Sequence, residues 1–158
     1  MAVPEIKNHG KRRVHELKIA ELLRGKSSGV VKIGARKNIA EAAVALTANK
    51  IGALLVEDEA GQIVGILSER DIVSGMAPHG ADLHDVAVEE LMTRKVIHCS
   101  PEDTVHEAMA MMTDRHIRHL PVFDNDELVG FISIGDLVKC RIMEVQSEAE
   151  AMRAYIAS

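Results

Sequence analysis

The 158-residue chain has no tryptophan, one tyrosine and two phenylalanines. Its core must therefore be assembled from Val, Ile, Leu, Ala and Met, and stacking on aromatic platforms is disfavoured for any ligand. Cysteine is nearly lacking too. Cys99 and Cys140 stand far apart and fit no CxxC spacing, so neither a disulfide framework nor a zinc site is indicated and both are read as buried thiols. No apolar run approaches the length of a membrane span, and MAVPEIKNHGKRR lacks the apolar stretch of a secretory signal. The expectation is a cytoplasmic protein with no membrane partner. Positive charge is scarce as well: a formal net charge of −5 argues against a broad basic face for nucleic acid, and Lys11-Arg12-Arg13 is short enough to read as a solvated segment.

What the chain does have is an internal repeat. With 47% apolar and 27% charged residues it has the composition of a globular protein, and its self-similarity decides how the rest is interpreted. IAEAAVALTANKIGALLVED (39 to 58) runs without a gap against VHEAMAMMTDRHIRHLPVFD (105 to 124). One residue lost from the second polar turn then aligns GILSERDIV (65 to 73) with GFISIGDLV (130 to 138). Upstream, IAELLRGKSSGVVKI pairs with VEELMTRKVIHC if the first copy carries three extra residues around Ser27, Ser28 and Gly29. The segments are an N-terminal segment 1–16, a first repeat 17–76, a linker 77–85, a second repeat 86–143 and a C-terminal helix 144–158.

Each copy changes period in the same order. Short β-rich runs (Val30 to Ile33, Val96 to Cys99) precede helical spacings (Ile39, Ala42, Ala43, Leu46; Val105, Ala108, Met109, Met112). Two hairpins follow, Ala53 to Val56 with Ile63 to Leu67, and His119 to Val122 with Leu128 to Ile132. Each GxxSxxD stretch then opens a last helix. The fold class is α/β: two β-α-β-β-α repeats, each marginal alone, packed with internal pseudo-two-fold symmetry and their sheets face to face. Met109, Met111 and Met112 are read as core filler.

The repeated Ser and Asp have two readings. Ser68-Glu69-Arg70-Asp71 and Ser133-Ile134-Gly135-Asp136 fit the [ST]-x-x-[DE] pattern that caps a helix. The same geometry suits a ligand: a glycine lets it approach the strand, a helix N-terminus attracts an anion, and a carboxylate accepts hydrogen bonds from a ribose diol. A nucleoside phosphate meets all three demands.

G-h-h-S-x-x-D-h-h, doubled in register and preceded by RHLPV, resembles a tandem pair of cystathionine β-synthase (CBS) domains, over a span from about Leu17 to Val145. The resemblance implies a regulatory, non-catalytic module whose clefts take an adenine nucleotide (AMP, ADP, ATP, or the related NAD or S-adenosylmethionine) with no required cofactor. It implies that Asp71 and Asp136 hold ribose hydroxyls, that Ser68 and Ser133 sit beside ribose or phosphate, and that Arg70, Arg118 and His119 face phosphate. It further implies that Ile33, Ile51, Gly52, Ala53, Cys99 and Ile117 border the adenine. The copies differ where Arg118 and His119 replace Gly52 and Ala53, and where Gly135 replaces Arg70, so the two clefts are expected to be unequal.

Other classes are less well supported. Asp124-Asn125-Asp126-Glu127 lacks the spacing of a calcium loop, and His116 with His119 has no completing ligand, so no metal is expected. Cys99 with His98 or His119 has no third group to orient it, and there is no Gly-rich phosphate loop, so no enzyme is expected. A structural module with vestigial clefts remains the alternative. Val145, Ala149, Met152 and Ile156 recur at helical spacing and point to a homodimer, beside an unidentified regulated protein.

Overall fold

The structure, a computed structural model, describes residues 16–26 and 29–158. Lys11-Arg12-Arg13 and the serines 27 and 28 lie outside the described residues. Helix α1 (Ile19–Gly25) is followed by β1 (Lys32–Gly34), α2 (Ile39–Asn49), β2 (Ala53–Glu57), β3 (Ile63–Ser68) and α3 (Glu69–His79). The second half contains α4 (Val88–Leu91), α5 (Val105–Arg115), β4 (His119–Asp124), β5 (Glu127–Ser133) and α6 (Ile134–Ala157).

Capping chemistry sets the helix starts. Asn38 with Glu41, Ser68 with Asp71, Thr104 with Glu107, and Ser133 with Asp136 all form reciprocal capping boxes, each satisfying two otherwise orphaned N–H groups. Helices α2 and α5 end alike, on Lys50 and His116, both left-handed with φ of 53°. The stretch expected to be a linker is itself helical. Helix α3 runs through Pro78 to His79, a 3₁₀ turn covers Gly80–Asp85, and Leu83 and Val86 pack on the first core. Likewise α6 continues without a break across residues 143 and 144, so the last repeat helix and the expected C-terminal helix are one 24-residue element.

The sheets are unequal. In the first repeat β1 pairs parallel with β2, which pairs antiparallel with β3. In the second, β4 and β5 form the antiparallel hairpin, but the strand expected over Val96 to Cys99 shrinks to a single parallel bridge between Cys99 and Val122. Two prolines explain this. Ala35 donates its N–H to the Glu57 carbonyl and so extends the first ladder, whereas its counterpart Pro101 has no N–H. On the other side Pro121 stands where Leu55 stands in β2 and again has no proton to donate. Only the bonds that flank Cys99 survive, Cys99 N–H to Pro121 O at 3.1 Å and Phe123 N–H to Cys99 O at 2.9 Å.

The cores do not follow the sequence repeats. Leu54, Val56, Leu67, Ile39, Ala42 and Leu46 form one core, and Val88 and Met92, from the beginning of the second sequence repeat, complete it. Leu120, Val122, Ile132, Val105, Ala108 and Met112 form the other, completed by Ile19 and Leu22 of α1. Each repeat thus lends its leading helix to its neighbour. Paired backbone bonds fasten the exchange: Ile19 N–H to Asp103 O and Val105 N–H to Leu17 O at one end, Ile39 N–H to Val86 O and Val88 N–H to Lys37 O at the other. Met112 is buried in its core, and Met109 and Met111 pack against it.

The exchange also accounts for the repeated glycines. A Cβ at Gly130 would lie 2.5 Å from Leu23 Cδ2, and one at Gly65 would lie 2.6 Å from Met92 Sδ and 3.0 Å from the Thr93 carbonyl. Leu23 and Met92 occupy equivalent places on the exchanged segments. These glycines therefore admit a neighbouring helix, and the expectation that they open the strand to a ligand is corrected on that ground.

Candidate functional site

A cleft of about 670 Å³ lies where the repeats meet. One wall comes from the first repeat: Gly29 to Val31, and the end of α2 with the start of β2, Asn49 to Ala53. The facing wall comes from the second repeat: His119 at the start of β4, Phe131 to Ser133 at the end of β5, and Asp136 in the first turn of α6. Lys26, just beyond α1, completes the lining. The volume lies within the few-hundred to ~1,000 Å³ range of small-molecule pockets.

Ser133 and Asp136 are held by the capping box. The Ser133 N–H donates to Asp136 Oδ2 at 2.8 Å, and the Asp136 N–H donates to Ser133 Oγ at 3.2 Å. Lys26 Nζ donates to the same Oδ2 at 2.9 Å and to the Phe131 carbonyl at 2.6 Å. Burial works against the Asp136 carboxylate, but the Ser133 N–H and the Lys26 ammonium outweigh it and hold the carboxyl below its usual range. The hydrogen bonds of 2.8 and 2.9 Å to this carboxylate both fall on Oδ2, and Asp136 itself lines the cleft. His119 stacks at a tilt on Phe131, with centroids 5.6 Å apart. Burial pushes its pKa down, more than the nearby Asp136 and Glu69 carboxylates raise it. The lowered pKa favours the neutral ring near neutrality.

Of the residues singled out in the sequence, Ile51, Gly52, Ala53, His119, Ser133 and Asp136 come together on this cleft. Ser68, Arg70, Asp71, Ile117 and Arg118 lie outside its lining, with Ser68 and Asp71 forming the equivalent capping box of α3. Ile33 and Cys99 are buried in the two cores, and next to Ile33 the cleft is lined by Val30 and Val31. Ile33 within β1 is buried, while Val30 and Val31 before the strand stay partly open. Burial together with the Asp103 carboxylate pushes the Cys99 thiol up to about 12, so it supplies no thiolate nucleophile near neutrality.

Lys26 was not singled out in the sequence. It follows a helix assigned to the first repeat, and only the exchange of α1 carries it to a carboxylate 110 residues away. Its counterpart by the repeat alignment, Lys95, is exposed, and none of the described ion pairs joins it to Asp71.

The chain matches the CBS domain family twice, over residues 20–77 and 88–142. It belongs to the CBS domain family. Among solved structures this CBS pair is similar to a CBS-domain containing protein from Agrobacterium tumefaciens, with 42% identity, a TM-score of 0.76, and 78% of this chain and 92% of that one covered. It is also similar to a CBS domain protein from Pyrobaculum aerophilum complexed with AMP, at 30% identity and a TM-score of 0.67, covering 76% and 89% of the two chains. A third relative is a CBS domain pair in complex with 5′-methylthioadenosine and S-adenosyl-L-methionine, at 27% identity and a TM-score of 0.69, covering 79% and 95%. The chain spans 58%, 33% and 59% of the length of three curated relatives that it matches. Among the described residues no helix is long and apolar enough to cross a membrane.

Proposed function

We propose that this CBS pair is a non-catalytic sensor that binds an adenine nucleotide, AMP, ADP or ATP, in the cleft between its repeats. The observation that carries the reading is the meeting of Ser133 and Asp136, at a helix N-terminus, with the Asn49 to Ala53 strand entry of the other repeat. Asp136 Oδ1 accepts from the ribose hydroxyls, Ile51 to Ala53 with Val30 and Val31 border the base, and Lys26, Ser133 and His119 serve the 5′ side. The AMP and S-adenosyl-L-methionine complexes of similar proteins support an adenosyl ligand. By the repeat relation a second site is assigned to Ser68, Asp71 and Arg70 with Ile117 and Arg118, unequal to the first because Arg118 replaces Gly52. The cytoplasm is the compartment that fits this ligand class, and an unidentified regulated protein reads the occupancy.

Because binding would span both repeats, a nucleotide that fills the cleft adds to the native state alone. At a hundred times its Kd it contributes about 2.7 kcal/mol, which raises the melting midpoint by about 5–10 °C. Calorimetric titration with AMP, ADP and ATP tests this. No heat and no midpoint shift with any adenylate would leave the alternative reading, a structural module whose Ser and Asp pairs only cap helices, which the two capping boxes favour.

The module is assigned a homodimeric state. Val138, Ile142, Val145, Ala149, Met152 and Ile156 recur on α6 at alternating spacings of four and three, the heptad pattern of a paired helix, and Met152 and Ile156 are 71% and 82% exposed. Light scattering that gives a monomer at micromolar concentration would remove this assignment.

A further inference from the structure

The cleft contains an ion pair that any adenosyl ligand must meet. Lys26 Nζ lies 2.9 Å from Asp136 Oδ2, and the two side chains are only 26% and 30% exposed. The lysine's second bond, to the Phe131 carbonyl, keeps the ammonium at the cleft wall beside Ser133. Lys50, the left-handed cap of α2, lines the opposite wall. The lining thus carries Lys26 and Lys50 together with Asp136, and the Glu69 carboxylate stands close to Gly52 and His119.

A ribose diol that engages Asp136 draws on the same carboxylate that neutralises Lys26. What happens to the ammonium then depends on the ligand's 5′ group. A phosphate offers it a charge-assisted partner, stronger than a neutral hydrogen bond. A thioether offers it nothing, and a sulfonium repels it. We infer that Lys26 makes the Asp136 cleft selective for adenosyl ligands bearing a 5′-phosphate over neutral or cationic ones. This rests on the adenine-nucleotide reading above and adds the 5′ chemistry to it. The Asp71 side has no such pair among the described residues, since Lys95 is exposed and forms no described pair with Asp71, so the Lys26 device belongs to the Asp136 cleft.

Calorimetric titration of the full chain with AMP, 5′-methylthioadenosine and S-adenosylmethionine tests the inference, with Lys26→Met, Lys26→Arg and Lys95→Met alongside the parent. The parent is expected to prefer AMP over 5′-methylthioadenosine by about tenfold or more, the value of one charge-assisted contact. Lys26→Met is expected to weaken AMP by about that factor while leaving 5′-methylthioadenosine unchanged or tighter, so that the ratio collapses. Lys26→Arg retains the ratio, which excludes a general loss of fold, and Lys95→Met leaves it untouched. A parent that binds 5′-methylthioadenosine as tightly as AMP, or a Lys26→Met protein that keeps the parental ratio, overturns the selectivity and leaves the adenosyl reading standing. If the parent and all variants bind none of the three ligands, the adenosyl reading falls and the selectivity falls with it.

Discussion

The two Ser-Asp boxes are alike in their own bonds and differ in their surroundings. The Ser68 N–H meets Asp71 Oδ2 at 2.8 Å, and the Ser133 N–H meets Asp136 Oδ2 at 2.8 Å. Yet among the described residues only Asp136 also holds a lysine, and its cleft is walled by the opposite repeat. Duplication therefore copied the local chemistry of the motif faithfully. The charges facing it come from elsewhere in the chain: both copies carry a lysine at the equivalent place, Lys26 and Lys95, but among the described residues Lys26 alone reaches its carboxylate. A motif match alone would have treated the two boxes as interchangeable.

The largest test of this comparison lies in the cores. Leu54 and Leu120 are equivalent and fully buried, so Leu54→Ala and Leu120→Ala should each cost about 2–5 kcal/mol. Because α1 and α4 are exchanged, either change should lower a single cooperative transition. Two separated transitions by calorimetry would show that the repeats unfold independently. A smaller effect is expected at the repeated glycines, where overpacking costs about 1–3 kcal/mol. Gly65→Ala should be worse than Gly130→Ala, because the Thr93 carbonyl near Gly65 is tied to the Ile66 N–H while the Leu23 side chain near Gly130 can turn aside. Equal midpoints in denaturant would break that difference.

The boxes themselves give a smaller signal. At the third helical position an Asn amide oxygen can still accept from the Ser68 N–H, so Asp71→Asn should lose only the charge's interaction with the helix N-terminus, about 0.3–1 kcal/mol. Asp136→Asn also loses the Lys26 pair and should cost about 1 kcal/mol near neutral pH. The folded carboxyl titrates below its usual 3.8, so this contribution is complete above that value and is lost as pH falls through the depressed one. The gap between parent and Asp136→Asn should accordingly close on acidification from about pH 5 to about pH 2. A gap independent of pH would mean that the ion pair contributes nothing.

The smallest effect concerns His119. Its folded pKa lies below 6.5, so above that pH His119→Gln should bind AMP much as the parent does. As pH falls through the lowered value, the parent gains a cation in the cleft and its affinity should draw ahead of the variant's. Comparing the two proteins cancels the phosphate's own ionisation near ~6. A parental advantage that is full already at pH 8 would show that the ring acts only as a neutral donor.

Much of the architecture was legible before any coordinates. The gapless alignment of residues 39 to 58 with 105 to 124 announces a duplicated unit, and the capping patterns at Ser68 and Ser133 mark where the last helix of each repeat begins. These are local properties, decided by residues three or four apart. The shortened strand at Cys99 was also legible in principle, through Pro101 and Pro121, but it needed the ladder register to show which N–H groups were missed.

Three things could be decided only in three dimensions. Which core received α1 depends on bonds between Ile19 and Asp103, far apart in the chain and invisible to periodicity. The use of Gly65 and Gly130 follows from that exchange, because the side chains that press on them arrive from the other repeat. The composition of the cleft follows in turn: Lys26 and Asp136 become a pair because apolar burial of Ile19 and Leu22 brings α1 across. The sequence by itself determined the units and their helix caps, since short-range hydrogen bonding and side-chain period require no partner. Tertiary packing decided which charges meet across the cleft, because electrostatic contact depends on a distance that only the folded core sets.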